Sequence, residues 1–528
     1  MSADLVLTNG NIITMSSSNL RAQAIAVKDN VIIKVGKNRE VAPLIDNNTK
    51  LIQLKRKTVI PGFIDTHIHV ADFGRLLMWI DLNNCKSIKD MQNILKKKIP
   101  NISPNKWIIG RGWKDIFFES NQLPNRYDLD VAAPDNPVAF YHNSGKLCLV
   151  NSKALEFAKI TKLTSIPSVE GMIEKNPITG NPTGILKGKA MNLVWATIPE
   201  PTEKDLLENA NLACSNILEN GITSVHWMVL SAKEFSIIKK LKHNSLLPRI
   251  FIVVPYELWK KELGQNQKLS FSQNNLLRIG AIEISVDGYL ADKTAALIYP
   301  YKDGLNSTGK LLYSQKSLTS FATEILQSNF QLIIHAMGDK AVDHALTAIK
   351  QVKNKPQGTR IRLEQAALIN KNLLDRLKNQ KIMVSVQPCV MNSEFKIWSA
   401  VDNLGPSRTR WLYPIKTLVD NNILLLGGSD CPMEPLNPLL GIQTLVNKQF
   451  FVDEAITVTQ ALAMYTINAA YSTKEEKSKG SIEEGKLADL VILSEDPIGI
   501  SSDKIGSINV DTTILGGKIV YIKESNVS

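Results

Sequence analysis

Apolar residues along this chain fall into two patterns. Near the start, short apolar runs over 5–8, 11–14, 24–27 and 31–33 are separated by turn signals, among them Asn9-Gly10 and Asp29-Asn30. Such spacing predicts hairpins of a small antiparallel sheet. The far end repeats the style over 485–493 and 513–521, so one small β domain built from both termini is expected. Between the ends, near-continuous β-rich runs recur at 58–64, 221–226, 249–254, 279–287, 330–335, 360–365, 382–387 and 423–426, with helix-compatible stretches such as 341–352 and 371–380 in the gaps. Buried strands alternating with helices are parallel strands, and eight such units predict an α/β fold, a closed (β/α)8 barrel of the TIM type.

The gap after the first strand is too long for one crossover and predicts an inserted subdomain. The expected division is 1–57 plus 475–528 as a composite β-sandwich, 58–74 plus 216–474 as the barrel, and 75–215 as the insertion. Within the insertion, Trp107, Trp113, Phe117 and Phe118 are read either as an apolar lid or as a small core of its own.

Composition changes this picture little. With 528 residues, 44% of them hydrophobic and 21% charged, the chain has apolar material for more than one core. A net charge of +12 is spread over scattered lysines, without basic clusters interleaved with aromatics, so a nucleic-acid partner is not expected. Apolar runs stay short of about 18 residues and the N-terminus has no leader-like segment, so no membrane partner is expected. Five cysteines, far apart and without a C-x-x-C pair, point to a reducing compartment. The expectation is a soluble, cytoplasmic protein that takes a small-molecule substrate; oligomeric state, a homodimer included, is not written in the pattern.

Candidate chemistry gathers at the C-terminal ends of the expected barrel strands, where such barrels carry their reactive groups. His67 and His69, two of only seven histidines, are at i and i+2, so an extended backbone turns both imidazoles to one side. His226 ends the second strand, His335 the fifth, and Asp430 lies just past the eighth. Glu283 alternates with Ile282 and Ile284 and is expected to face the barrel interior, while the sixth strand ends in Glu364-Gln365. Imidazoles and a carboxylate converging on one mouth match the nitrogen and oxygen ligands of a catalytic divalent metal with a place left for water. Such a metal activates water, and Asp430 is placed to take the proton and pass it to a leaving nitrogen. Asp287 and Asp339 are expected to brace loops, and His142, His243 and His344 to be surface or packing residues.

At this point the chain resembles the amidohydrolase superfamily, in its amidohydrolase-3 branch of N-substituted formamide deformylase-like proteins. The resemblance rests on Pro61-Gly-Phe-Ile-Asp-Thr-His-Ile-His69, Val286-Asp-Gly288 with Thr294-Ala-Ala-Leu297, His335-Ala-Met-Gly-Asp339, Arg362-Leu-Glu364, Gly428-Ser-Asp430 and the closing Gly480–Asp489 segment. It implies hydrolysis of carbon–nitrogen bonds other than peptide bonds. Four positions depart from the branch: Glu283 stands where a metal-bridging lysine is usual, Gln365 and Val390 replace histidines, and Lys146 replaces the histidine of an Asp-Gly-His pattern. What remains, His67, His69, His335 and Asp430, is the set that single-metal members of the superfamily use. One metal is therefore expected, zinc first, with iron or manganese as alternatives and Glu283 as an added ligand or proton-transfer group. Asp430 and His335 are the expected catalytic residues, and His226, Lys146 and Gln365 the expected substrate contacts. Three functions follow: hydrolysis of a small amide, formamide or cyclic amide; deamination of a nitrogen heterocycle; or a scaffold that kept the fold without the chemistry. Against deamination, the glutamate that such deaminases carry three residues after the fifth-strand histidine is Gly338 here.

Overall fold

The computed structural model describes residues 2–18, 20–114, 123–167, 170–241, 247–263, 277–302 and 305–524. Eight strands in it pair in parallel in chain order: β1 (Phe63–Ile68), β2 (Ile222–Met228), β3 (Arg249–Pro255), β4 (Leu277–Ser285), β5 (Gln331–Ala336), β6 (Arg362–Gln365), β7 (Met383–Val386) and β8 (Leu425–Gly427). Past the end of β8 the chain returns to β1 through two backbone bonds, Asp430 N–H to the His67 carbonyl and His69 N–H to the Cys431 carbonyl, both 2.9 Å. Almost every strand residue is buried, which is why these strands read as continuous apolar runs rather than as alternations. The expected barrel is present.

The strand bounds shift by a few residues, and one expected strand divides. The run 58–64 is two strands: Thr58–Pro61 belongs to a second sheet, and β1 starts at Phe63. Gly62 lies at the break, where a Cβ would come within 2.1 Å of the Thr223 hydroxyl, so no other residue lets the chain pass β2 this closely.

Thr58–Pro61 sits inside a six-stranded sheet with Asn11–Ile13, Arg21–Ala22, Leu490–Leu493, Val510–Leu515 and Lys518–Ile522. A four-stranded sheet, Leu5–Thr8, Ala24–Lys28, Val31–Gly36 and Lys50–Gln53, packs on it through Leu5, Leu7, Ile25 and Val27 against Ile12, Val59, Leu490 and Ile514. Ala24–Lys28 and Val31–Gly36 form the expected hairpin, with Asp29 and Asn30 both at positive φ, the conformation of a tight two-residue turn. The expected hairpin across Asn9-Gly10 does not form, because Leu5–Thr8 and Asn11–Ile13 go to different sheets.

Residues Met1–Phe73 with Ala210–Ser528 make one compact unit, and Gly74–Asn209 makes another with its own six-stranded sheet. In the second unit Trp113 is fully buried among Leu82, Leu95 and Phe140, and its indole N–H donates to the Phe140 carbonyl at 3.0 Å. Trp107 packs at the edge of a neighbouring cluster; Phe117, Phe118 and His243 lie outside the described residues. Among the described residues no helix is long and apolar enough to cross a membrane.

Candidate metal centre

The barrel mouth is assembled by register. His335 on β5 is the Cα partner of Glu364 on β6, which in turn faces Ser385 on β7. One step deeper, Glu283 on β4 is level with Ile333, and Ile333 with Arg362. Residues two apart in a strand share a face, so Glu283, His335, Arg362 and Glu364 belong to one inward surface.

Asp65 ties the first strand to the last. Its carboxylate accepts from the backbone N–H of His67 and of Ser429, each at 3.0 Å. This holds His67 beside Asp430, and a Cβ at Gly428 would stand 2.7 Å from the His67 nitrogen. Asp430 itself has φ +59, an uncommon conformation for a non-glycine residue that turns its side chain back over β1. His67 Nε2 and His69 Nε2 lie 3.5 and 3.4 Å from the same Asp430 oxygen, and the two rings stand edge to face with centroids 5.2 Å apart.

Two overlapping sets of donor atoms result. One is His67, His69 and Asp430; the other is His67, Glu283 and Glu364; within each, one atom per residue lies within 4.8 Å of the others. Nδ1 of His67, His69 and His335 and one oxygen of Glu283 are buried without a hydrogen-bond partner. Imidazole nitrogens and carboxylate oxygens gathered at this spacing are the donor chemistry of a divalent cation, and the unpartnered Glu283 oxygen beside His67 is a buried polar atom of the kind that is ordinarily satisfied. The residues present therefore fit a metal.

Electrostatics at the mouth follow from burial against charge. Burial alone would lower the His67 ring, but Glu364, Asp430 and Glu283 raise it to about 9, so loading a cation at His67 displaces a proton. Burial and the neighbouring His67 lower His335 to about 4, leaving it neutral and able to ligate. Burial, with Glu364 adding to it, raises Glu283. Burial would raise Glu364 too, yet the Arg362 guanidinium and His67 outweigh it and hold that carboxyl down at about 2.

Beneath the donors lies a charged layer that sequence reasoning left without a role. Arg362 is fully buried, approaches Glu364 at 2.7 Å and donates to Nδ1 of His226 at 2.9 Å. Gln387 donates its amide to the other oxygen of Glu364 at 2.6 Å. Glu364 in turn lies 3.6 Å from His67 Nδ1, so Arg362 and Gln387 fix the carboxylate that backs the His67 ring. The signal was available: Arg-x-Glu in a strand sets opposite charges on one face, with Leu363 turned to the other.

The expected substrate contacts fare differently. His226 is 2% exposed, bonded to Arg362 and packed on Phe251, and burial followed by Arg362 pushes its pKa well down. It is bonded into the supporting layer by a guanidinium that its sequence position could not reveal. Gln365, at φ +67, turns to accept from the Tyr413 hydroxyl at 3.1 Å. Lys146 is exposed on a turn of the unit Gly74–Asn209. Asp287 accepts from the N–H groups of Ala296, Met337 and Gly338, and Asp339 from that of Ile298, so both brace loops.

A buried acid, Glu394, sits on the helix Pro388–Lys396 that follows β7. It is 1% exposed, with neither oxygen hydrogen-bonded, and burial pushes its carboxyl up to about 8. A raised folded value stabilises most below the ordinary 4.5 and loses that contribution as pH rises towards 8. Glu394→Gln should therefore flatten the fall in stability between pH 5 and 8 and raise stability at pH 8 by roughly 1–3 kcal/mol. Urea midpoints of both proteins at the two pH values test this, and parallel pH curves would refute it.

Comparisons with known proteins agree with this geometry. A sequence model of the amidohydrolase family matches residues 50–521. YtcJ of Bacillus subtilis (strain 168) is 30% identical over 97% of this chain and 98% of its own. N-substituted formamide deformylase of Arthrobacter pascens is 27% identical over 98% of both chains. A crystal structure of an uncharacterised metal-dependent hydrolase from Pyrococcus furiosus superposes with a TM-score of 0.74 at 27% identity, over 94% of this chain and 99% of that one.

Proposed function

From the premise that this chain belongs to the amidohydrolase family and is a metal-dependent hydrolase of carbon–nitrogen bonds other than peptide bonds, we propose that it cleaves a small amide, formamide or cyclic amide. The observation that carries this reading is the convergence of His67, His69 and Asp430, whose carboxylate oxygen lies within 3.5 Å of both Nε2 atoms. One divalent metal, zinc, would be held by His67, His69, His335 and Asp430, with Glu283 the added ligand. When bound, it supplies Lewis acidity to the scissile carbonyl and to water.

The chain's own residues do the rest. Asp430 accepts the proton of the attacking water and hands it to the leaving nitrogen, which needs a carboxylate within reach of both. His335, neutral by burial, keeps a lone pair for ligation instead of a proton. Glu364, held ionised by Arg362, backs the His67 ring on the side away from Asp430. The deaminase reading is the weaker one. It requires a glutamate at position 338, where a Cβ would come within 2.0 Å of the Ala296 carbonyl.

Metal content per chain of protein purified without added metal, beside a His67→Ala, His69→Ala double variant, tests the centre. The expected result is about one zinc per chain in the parent and loss of it in the variant, followed by turnover in a screen of formamides and cyclic amides. Two metals would overturn the single-ion reading. None, even after adding zinc, would favour the scaffold.

A further inference from the structure

A cavity of about 400 Å³ opens within the unit Gly74–Asn209, independent of the metal centre's residues. Three aromatic rings wall it. Trp79 stacks on Tyr141 with centroids 5.8 Å apart and planes 17° off parallel; Trp195 stands edge-on to both, at 5.8 and 5.3 Å. Trp195 is 42% exposed, so part of its ring is left uncovered by protein. The Tyr141 hydroxyl is buried without a hydrogen-bond partner. Asn83 and Asn192 add amides to the rim, Arg111 is the fixed charge of the lining, and no described lining residue is acidic.

We propose that this cavity binds a planar aromatic ring carrying a carboxylate. The ring lies against Trp195, where offset or edge contacts between aromatic faces are favourable. The carboxylate pairs with Arg111, whose planar fork of donors matches it. A cationic ligand, the usual guest of an aromatic cage, is repelled by that same guanidinium. The volume is within the range of small-molecule pockets. This inference does not rest on the proposed hydrolytic reaction.

The test is calorimetric titration of the full-length protein with 2-naphthoate, beside its neutral amide. Saturable binding of one naphthoate per chain is expected, with the amide about tenfold weaker. Arg111→Met should weaken naphthoate about tenfold and abolish the preference over the amide. Trp195→Ala should weaken both ligands together. Binding should persist in the His67→Ala, His69→Ala variant, which separates this cavity from the metal centre. Arg111 is exposed, so its variant decides the matter even if Trp195→Ala melts early. No saturable binding, undiminished binding in Arg111→Met, or binding lost with the two histidines would each overturn the assignment.

Discussion

Asp430→Asn is expected to cut turnover about 10²–10⁴-fold, the usual contribution of a positioned general acid–base, while leaving the fold and the metal in place. Asparagine keeps an oxygen in the same position, so the neighbouring His67 and His69, at 3.5 and 3.4 Å, retain a third donor. What it cannot do is accept a proton from water and release it to nitrogen. The loss should therefore fall on kcat far more than on KM, because the missing group acts in the transition state. Steady-state kinetics on whichever formamide or cyclic amide is turned over, with metal content measured on the same preparation, reads both halves. Undiminished kcat with metal present would remove Asp430 from the chemistry. A protein that never turned anything over but kept its partners in this variant would be the scaffold.

How much of this was legible beforehand depended on whether the information was local. Parallel barrel strands are buried on both faces, so most wrote themselves as short apolar runs, with the charged Arg362–Gln365 the exception, and the order of eight runs was enough for the barrel. The break at Gly62 was only half legible: Pro61-Gly62 allows a kink, but Val59-Ile60 and Phe63-Ile64 are equally apolar, and what makes glycine necessary there is Thr223 on another strand. Asn9, at positive φ, looks like a hairpin turn from sequence, yet it hands the chain from one sheet to the other. The same division holds in the site. His67 and His69 announced themselves by spacing. Asp65 and Glu364 did not, since one bridges β1 to the turn after β8 and the other acquires its meaning only from register with His335 and Ser385.

Arg362→Met should be the most damaging substitution for stability, at about 3–5 kcal/mol, because removing one partner of a buried ion pair leaves the other charge uncompensated. Here the abandoned charge has company: Glu364 lies within the same His67-centred cluster as Glu283, whose carboxyl burial already raises. Without the guanidinium the largest opposition to burial is gone and His67 is left to offset it, so the Glu364 carboxyl should rise from about 2. A carboxyl so raised is tolerated when protonated and costs stability as pH increases. The deficit of Arg362→Met should therefore be largest at pH 8 and shrink towards pH 5. Adding Glu364→Gln should recover part of it, since the amide can stay bonded to Gln387 without a charge to neutralise. Urea denaturation of the parent, both single variants and the double variant at the two pH values measures the coupling. Additive losses that do not change with pH would mean that Arg362 serves as packing alone, and that Glu364 is held beneath His67 by something other than charge.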